Sequence, residues 1–238
     1  MGYEELFAAH VLPVVRMRRL GSGTCAPVRF VGTGFTFGEG TLVTSWHCVS
    51  SVLPPDEAFC LVRQGSWPGG TYDTWEEIAD LSQDRHGTDL ALGRVGFTIE
   101  PRLTLGSIPL AWGEDVVACG YPLPTDTRDP EAGTPLIKTE ARLLRGYVTR
   151  MLVDDRPGWP PVRVVEVDMP VPPGTSGGPL FRPQPFEVVG ILYREHDTME
   201  GSAGRLYTFA FAHHLTTLMA AAGPATDERP LAEYLGGK

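Results

Sequence analysis

Glycine and proline interrupt this chain at short, irregular intervals, and that punctuation governs what it can fold into. The 28 glycines and 22 prolines are scattered between short apolar runs and do not gather in one tract. Inside a helix a glycine costs about 1 kcal/mol and a proline about 3 kcal/mol relative to alanine, so long helices are excluded over most of the length. Hairpin turns need these same residues for their backbone angles, so many short strands are favoured. Residues 28–49, VRFVGTGFTFGEGTLVTSWHCV, show the pattern: an apolar alternation through Phe35 and Phe37, a GEG turn, then a returning strand that ends just before His47. Further strands are expected at 11–18, 58–63, 90–95, 115–118, 137–144, 162–167, 187–193 and 206–212. The segments GSWPGGTYD and PLPTDTRDPEAGTP read as turn-rich separators. Helical text is confined to a short turn at 3–9 and to HLTTLMAAA at 214–222, which Gly223 stops. The texture is that of an all-β sandwich or barrel protein, with a boundary near 101–109 and an unstructured tail over 223–238.

A chain of 238 residues can bury one large core or two smaller ones. Its net charge of -9 argues against a phosphate-binding surface, so no nucleic-acid partner is expected, and Arg16, Arg18 and Arg19 read as a solvated edge. No apolar run approaches the ~20 residues that cross a bilayer, so no membrane role is expected. Cys25, Cys48, Cys60 and Cys119 form no CxxC pair, and the six histidines offer only the adjacent His213 and His214. No metal or other cofactor is therefore expected, and the cysteines read as reduced, mostly buried thiols. Glu4 and Glu5 stand where a secretion signal carries positive charge, and Leu6 stands where a myristoylation signal wants Ser or Thr. The expected location is cytoplasmic.

The segment VPPGTSGGPLF at 171–181 places Ser176 among Gly174, Gly177 and Gly178. A serine hydroxyl becomes a useful nucleophile only beside a base that is itself oriented by an acceptor, and it needs backbone N–H donors for the oxyanion that forms. Glycines allow the unusual dihedrals and the close approach that such donors require. Taken alone, the segment is equally a tight turn between two strands.

Three motifs taken together favour the nucleophile. TSWHC at 44–48, TDLAL at 88–92 and GTSGGPL at 174–180 occur in that order along the chain, and together they resemble the trypsin-like (chymotrypsin-fold) serine peptidases, in a bacterial or intracellular-type branch without disulfides. The resemblance implies two antiparallel six-stranded β-barrels with a short C-terminal helix, divided as 1–105 and 106–222 with the tail at 223–238. It implies His47 as general base and acid, Asp89 as its orienting acceptor, Ser176 as nucleophile, and the N–H groups of Gly174 and Ser176 as the oxyanion hole. Asp80 and Asp84 read instead as members of a solvated loop.

The chain departs from the family in three places. Secreted members bridge the cysteine after the catalytic histidine to the preceding hairpin, where this chain has Gly32 and Thr33, so Cys48 is expected to stay a packed thiol. Thr175 replaces the aspartate that pairs with a cleaved N-terminus in digestive members, so the hole is expected to be preformed or completed by an activating protein partner. Pro170 falls where trypsin carries the acid of its specificity pocket, and the pocket wall would include Tyr193 and Arg194. The basic residues Arg194, Arg205 and His213 are candidates for receiving an acidic side chain. The implied partner is a protein or peptide substrate, and the competing reading is a protease-like binding or scaffold domain whose hole never forms.

Overall fold

The structure, a computed structural model, describes all residues except 1–2, 22–23, 68–69, 101, 123–124, 129–134, 156, 201–204 and 237–238. The strands β1 (Val11–Gly21), β2 (Thr24–Phe37), β3 (Thr41–Ser45), β4 (Glu57–Trp67), β5 (Gly70–Glu77), β6 (Ala79–Gln83) and β7 (Leu90–Arg94) form one antiparallel sheet. Their order is β5-β4-β1-β2-β3-β7-β6. The two outer strands are consecutive in the chain, separated only by Ile78, whose side chain turns into the core. A single bent run therefore serves both β4 and β7 and wraps the sheet into a half-barrel. Asp80, at a φ of 50°, marks the bend.

β8 (Asp115–Gly120) leads into a small separate hairpin, β9 (Thr125–Arg128) with β10 (Pro135–Lys138). The closed barrel is β11 (Arg142–Asp154), β12 (Val162–Val167), β15 (Arg205–His214), β14 (Phe186–Glu200), β13 (Pro179–Pro183) and β8. The expected chymotrypsin-like pair of antiparallel sheets is present, and the second has the six strands expected. The first counts seven because its corner divides one run in two. β5 lies in the segment that read as a turn-rich separator, and the run expected at 137–144 is broken between β10 and β11.

Strand alternation sorts the core. β3 sends Leu42 into the first sheet's core and Val43 into a second cluster with Phe35, Phe37, Leu90 and Leu92. That second cluster also takes Cys119, Phe181, Val188 and Ile191 from the closed barrel, so it cements the two sheets together. The connection between them is stitched down as well: Gly106 N–H donates to Val188 O (2.8 Å) and Val188 N–H to Thr104 O (2.8 Å).

Each end of the chain crosses to both sheets. Helix α1 (Tyr3–His10) sets His10 Nδ1 2.8 Å from Thr36 O of β2 and packs Phe7 against Phe181 and Phe186, at ring separations of 5.2 and 5.7 Å. The expected unstructured tail is instead folded. After the one-turn helix α2 (Trp46–Val49), which follows β3, the remaining helices are α3 (Leu215–Ala220) and α4 (Leu231–Gly236), with a 3-10 turn at Pro224–Thr226 between them. Ala225, Leu231 and Tyr234 are buried, Arg94 of β7 donates to Ala225 O (3.0 Å), and the Asp84 carboxylate accepts the Ala222 N–H (2.9 Å). Asp84 is thus a buried anchor and not a solvated loop residue, which corrects the reading above. The 3-10 turn packs on β6 and β7, far away in sequence, and α4 packs on α3.

Candidate active site

The register of β3 on β7 pairs Ser45 with Leu90, which brings Asp89, just before β7, against the first turn of α2. Asp89 is 2% exposed. Its Oδ1 accepts the backbone N–H of His47 (2.9 Å), and its Oδ2 lies 2.8 Å from His47 Nδ1. The Trp46 N–H donates to the Asp89 carbonyl (3.2 Å), so the acid is fixed at both side chain and backbone. His47 is exposed, with 42% of its side chain accessible. Burial of the rest works against its cation, but the hydrogen bonds and negative charges of Asp89 and Cys48 outweigh that and push its pKa up to about 10.

Ser176 sits in the turn between β12 and β13. Pro172 O accepts both the Thr175 N–H (3.3 Å) and the Thr175 hydroxyl (2.7 Å), closing a tight turn in which Gly174 takes a φ of 103°. Thr175 O accepts the Gly178 N–H (2.9 Å), and Leu192 O accepts the Gly177 N–H (2.7 Å). Among the described residues, the N–H groups of Gly174 and Ser176 donate to no backbone carbonyl. Glycine is required at 174: a Cβ would lie 2.5 Å from Tyr121 O.

The first sheet reaches this turn directly. Thr33 N–H donates to Ser176 O (2.9 Å), and Cys48, next to His47, places its sulfur 3.8 Å from the same carbonyl. Ser45 Oγ donates to Leu192 O (3.1 Å), the carbonyl that also holds Gly177. His47 and Asp89 are thus hydrogen-bonded to each other, and the Ser176 turn is bonded to the residues that flank His47. The Ser176 hydroxyl forms no hydrogen bond with His47 among the described residues, a link that commonly tightens only with substrate bound. Thr33, Ser45 and Thr44 were not singled out from sequence; the available signal was the glycine pair around Thr33, which lets another chain segment approach closely.

All four cysteines are free. A Cβ built on Gly32 would stand 2.6 Å from Cys48 Sγ and 3.3 Å from Cys48 Cβ, close to the ~3.5–4.5 Å between Cβ atoms of a disulfide. A Gly32→Cys variant is therefore expected to bridge to Cys48 on oxidation. Thiol titration should show two fewer free thiols, and the melting temperature should rise in the oxidised form only, consistent with the ~3 kcal/mol a short closed loop contributes.

The candidate pocket residues are less gathered. Pro170 is exposed. Neighbouring Asp168 is exposed too, and its carboxylate raises the pKa of the nearby Tyr147 phenol. Tyr193 is the extra residue of a bulge between Leu192 and Arg194; its ring packs with Val164 and Phe211, apart from the barrel core that takes Leu192 and Ala212, and its hydroxyl donates to Asp154 Oδ2 (2.6 Å). Fully buried His213 stacks on that ring at 4.3 Å. Arg194 and Arg205 belong to β14 and β15, and their side chains lie outside the described residues. Among the described residues no cluster of His, Cys, Asp and Glu could hold a metal ion, and no helix is long and apolar enough to cross a membrane.

The family model described as Trypsin-like peptidase domain matches residues 32–191. Protease Do-like 2, chloroplastic, of Arabidopsis thaliana is 28% identical over 194 residues, which is 78% of this chain and 27% of that protein, so the chain spans about a quarter of that relative's length. The crystal structure of the Rv3671c protease from M. tuberculosis in its active form aligns with a TM-score of 0.54 at 20% identity, over 89% of this chain and 78% of that one. The HtrA-type protease AlgW with a decapeptide aligns with a TM-score of 0.56 at 16% identity, over 91% and 65%. At these identities the structural matches establish a shared fold.

Proposed function

Because the chain belongs to the trypsin-like peptidase domain family, we propose that it is a serine endopeptidase that cleaves peptide bonds through an acyl-enzyme on Ser176. One observation carries this reading: Asp89 holds His47 by two separate hydrogen bonds, at backbone and ring, which fixes the ring's position and its tautomer at once. With a proton on Nδ1, Nε2 is left to take the Ser176 proton as the hydroxyl attacks, and to return it to the leaving amine. The Gly174 and Ser176 N–H groups would receive the oxyanion, and their lack of carbonyl acceptors leaves them available for it. In this division residues 1–105 supply base and acceptor, and 106–222 supply nucleophile and hole. The free thiols and Gly32 opposite Cys48 fit a reducing compartment such as the cytoplasm.

The turn's own bonds support a hole that forms without an activating partner. A fluorophosphonate probe is expected to label the isolated protein to completion at Ser176 and to leave Ser176→Ala unlabelled, as read by intact mass. Cleavage of a peptide library should be lost with the same substitution, at about 10⁶-fold in kcat. Labelling that needs an added protein would return the partner-dependent version. No labelling under any condition would leave a binding domain.

A further inference from the structure

We propose that Thr33 is a positioning residue of this site: from the first sheet, its hydroxyl and N–H orient the peptide planes that carry the two hole donors. The inference rests on the reading above and names a part that the triad does not include. Thr33 is fully buried and makes four hydrogen bonds. Its hydroxyl donates to Gly174 O (2.8 Å) and accepts the Tyr121 N–H (3.0 Å). Its N–H donates to Ser176 O (2.9 Å), and its carbonyl accepts the Thr44 hydroxyl (2.7 Å).

The consequence follows from peptide planarity. The plane joining residues 174 and 175 is held at its oxygen by the Thr33 hydroxyl and at its N–H by Pro172 O. The plane joining 176 and 177 is held at its oxygen by the Thr33 N–H and at its N–H by Leu192 O. The plane between them, 175 to 176, is held at its oxygen by the Gly178 N–H, which leaves the Ser176 N–H facing away. The preceding plane, which carries the Gly174 N–H, has no backbone bond of its own among the described residues. It meets, at Gly174 Cα, the plane that Thr33 grips. Gly174, at positive φ, is the residue whose backbone is freest to swing, so the hydroxyl acts where restraint is otherwise least. Gly120 makes room for this contact, since a Cβ there would stand 3.1 Å from the Thr33 hydroxyl and 3.1 Å from Thr175 Cα.

The test compares Thr33→Val, which keeps shape and N–H but loses the hydroxyl, with Thr33→Ser, which keeps both. Phosphonylation by the fluorophosphonate probe and kcat on a peptide substrate are expected to fall ~10- to 100-fold in Thr33→Val, part of the ~10²–10³ that a hole donor supplies, with KM within about twofold. Thr33→Ser should stay within about threefold of the parent, because it restores the donor. If Thr33→Val does not fold, Thr33→Cys takes its place, and its weak S–H donor should give a rate below that of Ser. A folded Val or Cys variant that reacts at the parent rate, or a Ser variant as slow as Val, would overturn the proposal. Amide hydrogen exchange on the unliganded protein separates it from the catalytic reading. Faster exchange at Tyr121 and Thr175 in the hydroxyl-free variant but not in Ser supports the clamp even if the parent takes no label, and unchanged exchange overturns it even if the parent is active.

Discussion

Under the proposed function, replacing Asp89 with Asn is expected to lower kcat by about 10⁴, the loss this exchange produces in Ser-His-Asp triads, with little change in KM. The magnitude follows from what the carboxylate does. Both oxygens accept from His47, one from its backbone N–H and one from its ring. An amide has one acceptor and one donor, so one of these two contacts must face an N–H with an N–H. If the backbone contact survives, the side-chain NH2 meets Nδ1, the ring's proton moves to Nε2, and the nitrogen that should receive the serine proton is blocked. The pH–rate profile gives a second reading. In the proposed role His47 must be neutral, and its pKa is raised, so the parent's rate is expected to be lost as pH falls through that raised value and to climb above it. The imidazolium–carboxylate pair stabilises the fold below the unfolded pKa of ~6.5, and that contribution fades as pH rises through about 10. The Asp89→Asn exchange removes the carboxylate charge beside the ring, so the residual profile should move toward lower pH. A loss below about tenfold with an unmoved profile would place Asp89 outside the chemistry.

Gly177→Ala is the substitution expected to harm the fold most, by about 4 kcal/mol or more in a urea or thermal melt, with probe labelling lost at the same time. The backbone there has a φ of 87°, and an added Cβ would stand 2.0 Å from Thr33 O and 2.4 Å from the Thr44 hydroxyl. Neither atom can retreat, because the two are hydrogen-bonded to each other and lie in the interior strands β2 and β3. Relaxation would have to part the two sheets where they meet beside Ser176. Gly113→Ala is the matched control. Its φ of 74° carries the same conformational strain, but nothing lies within 4 Å of its Cβ, so about 1–2 kcal/mol is expected. Similar losses at the two positions would show that dihedral strain alone, and not contact between the halves, decides the cost.

Local patterns were the legible part of this sequence. The hairpin of β2 and β3, the strands at β7, β8, β12, β14 and β15, and the three motifs bearing His47, Asp89 and Ser176 each announce themselves within a few residues. β5 and β6 did not, because their text is polar and rich in turn residues, and the structure takes them up as a bent run at the rim of the sheet, where a polar face meets water. β13 was masked by its flanking prolines, which occupy its ends and leave the interior pairing intact. The tail was misread because its burial comes from Asp84 and Arg94, long-range partners that no local periodicity reveals. Thr33 was hidden for the same reason, since its bond to Gly174 spans 141 positions. The pocket readings depended on offsets along the chain, and such offsets do not foresee the bulge at Tyr193, whose ring packs with Val164 and Phe211.

The way the two ends are tied has a consequence for motion. Phe7, from the start of the chain, is seated on the closed barrel, while Ala225, near its end, is tied to Arg94 of the half-barrel. The two sheets are therefore clasped from opposite ends as well as stitched through the middle. They cannot hinge apart about the linker without releasing a terminus from its seat. Separation of His47 from the Ser176 turn is then coupled to loss of the whole fold, so the two should keep their spacing until the molecule melts as one unit.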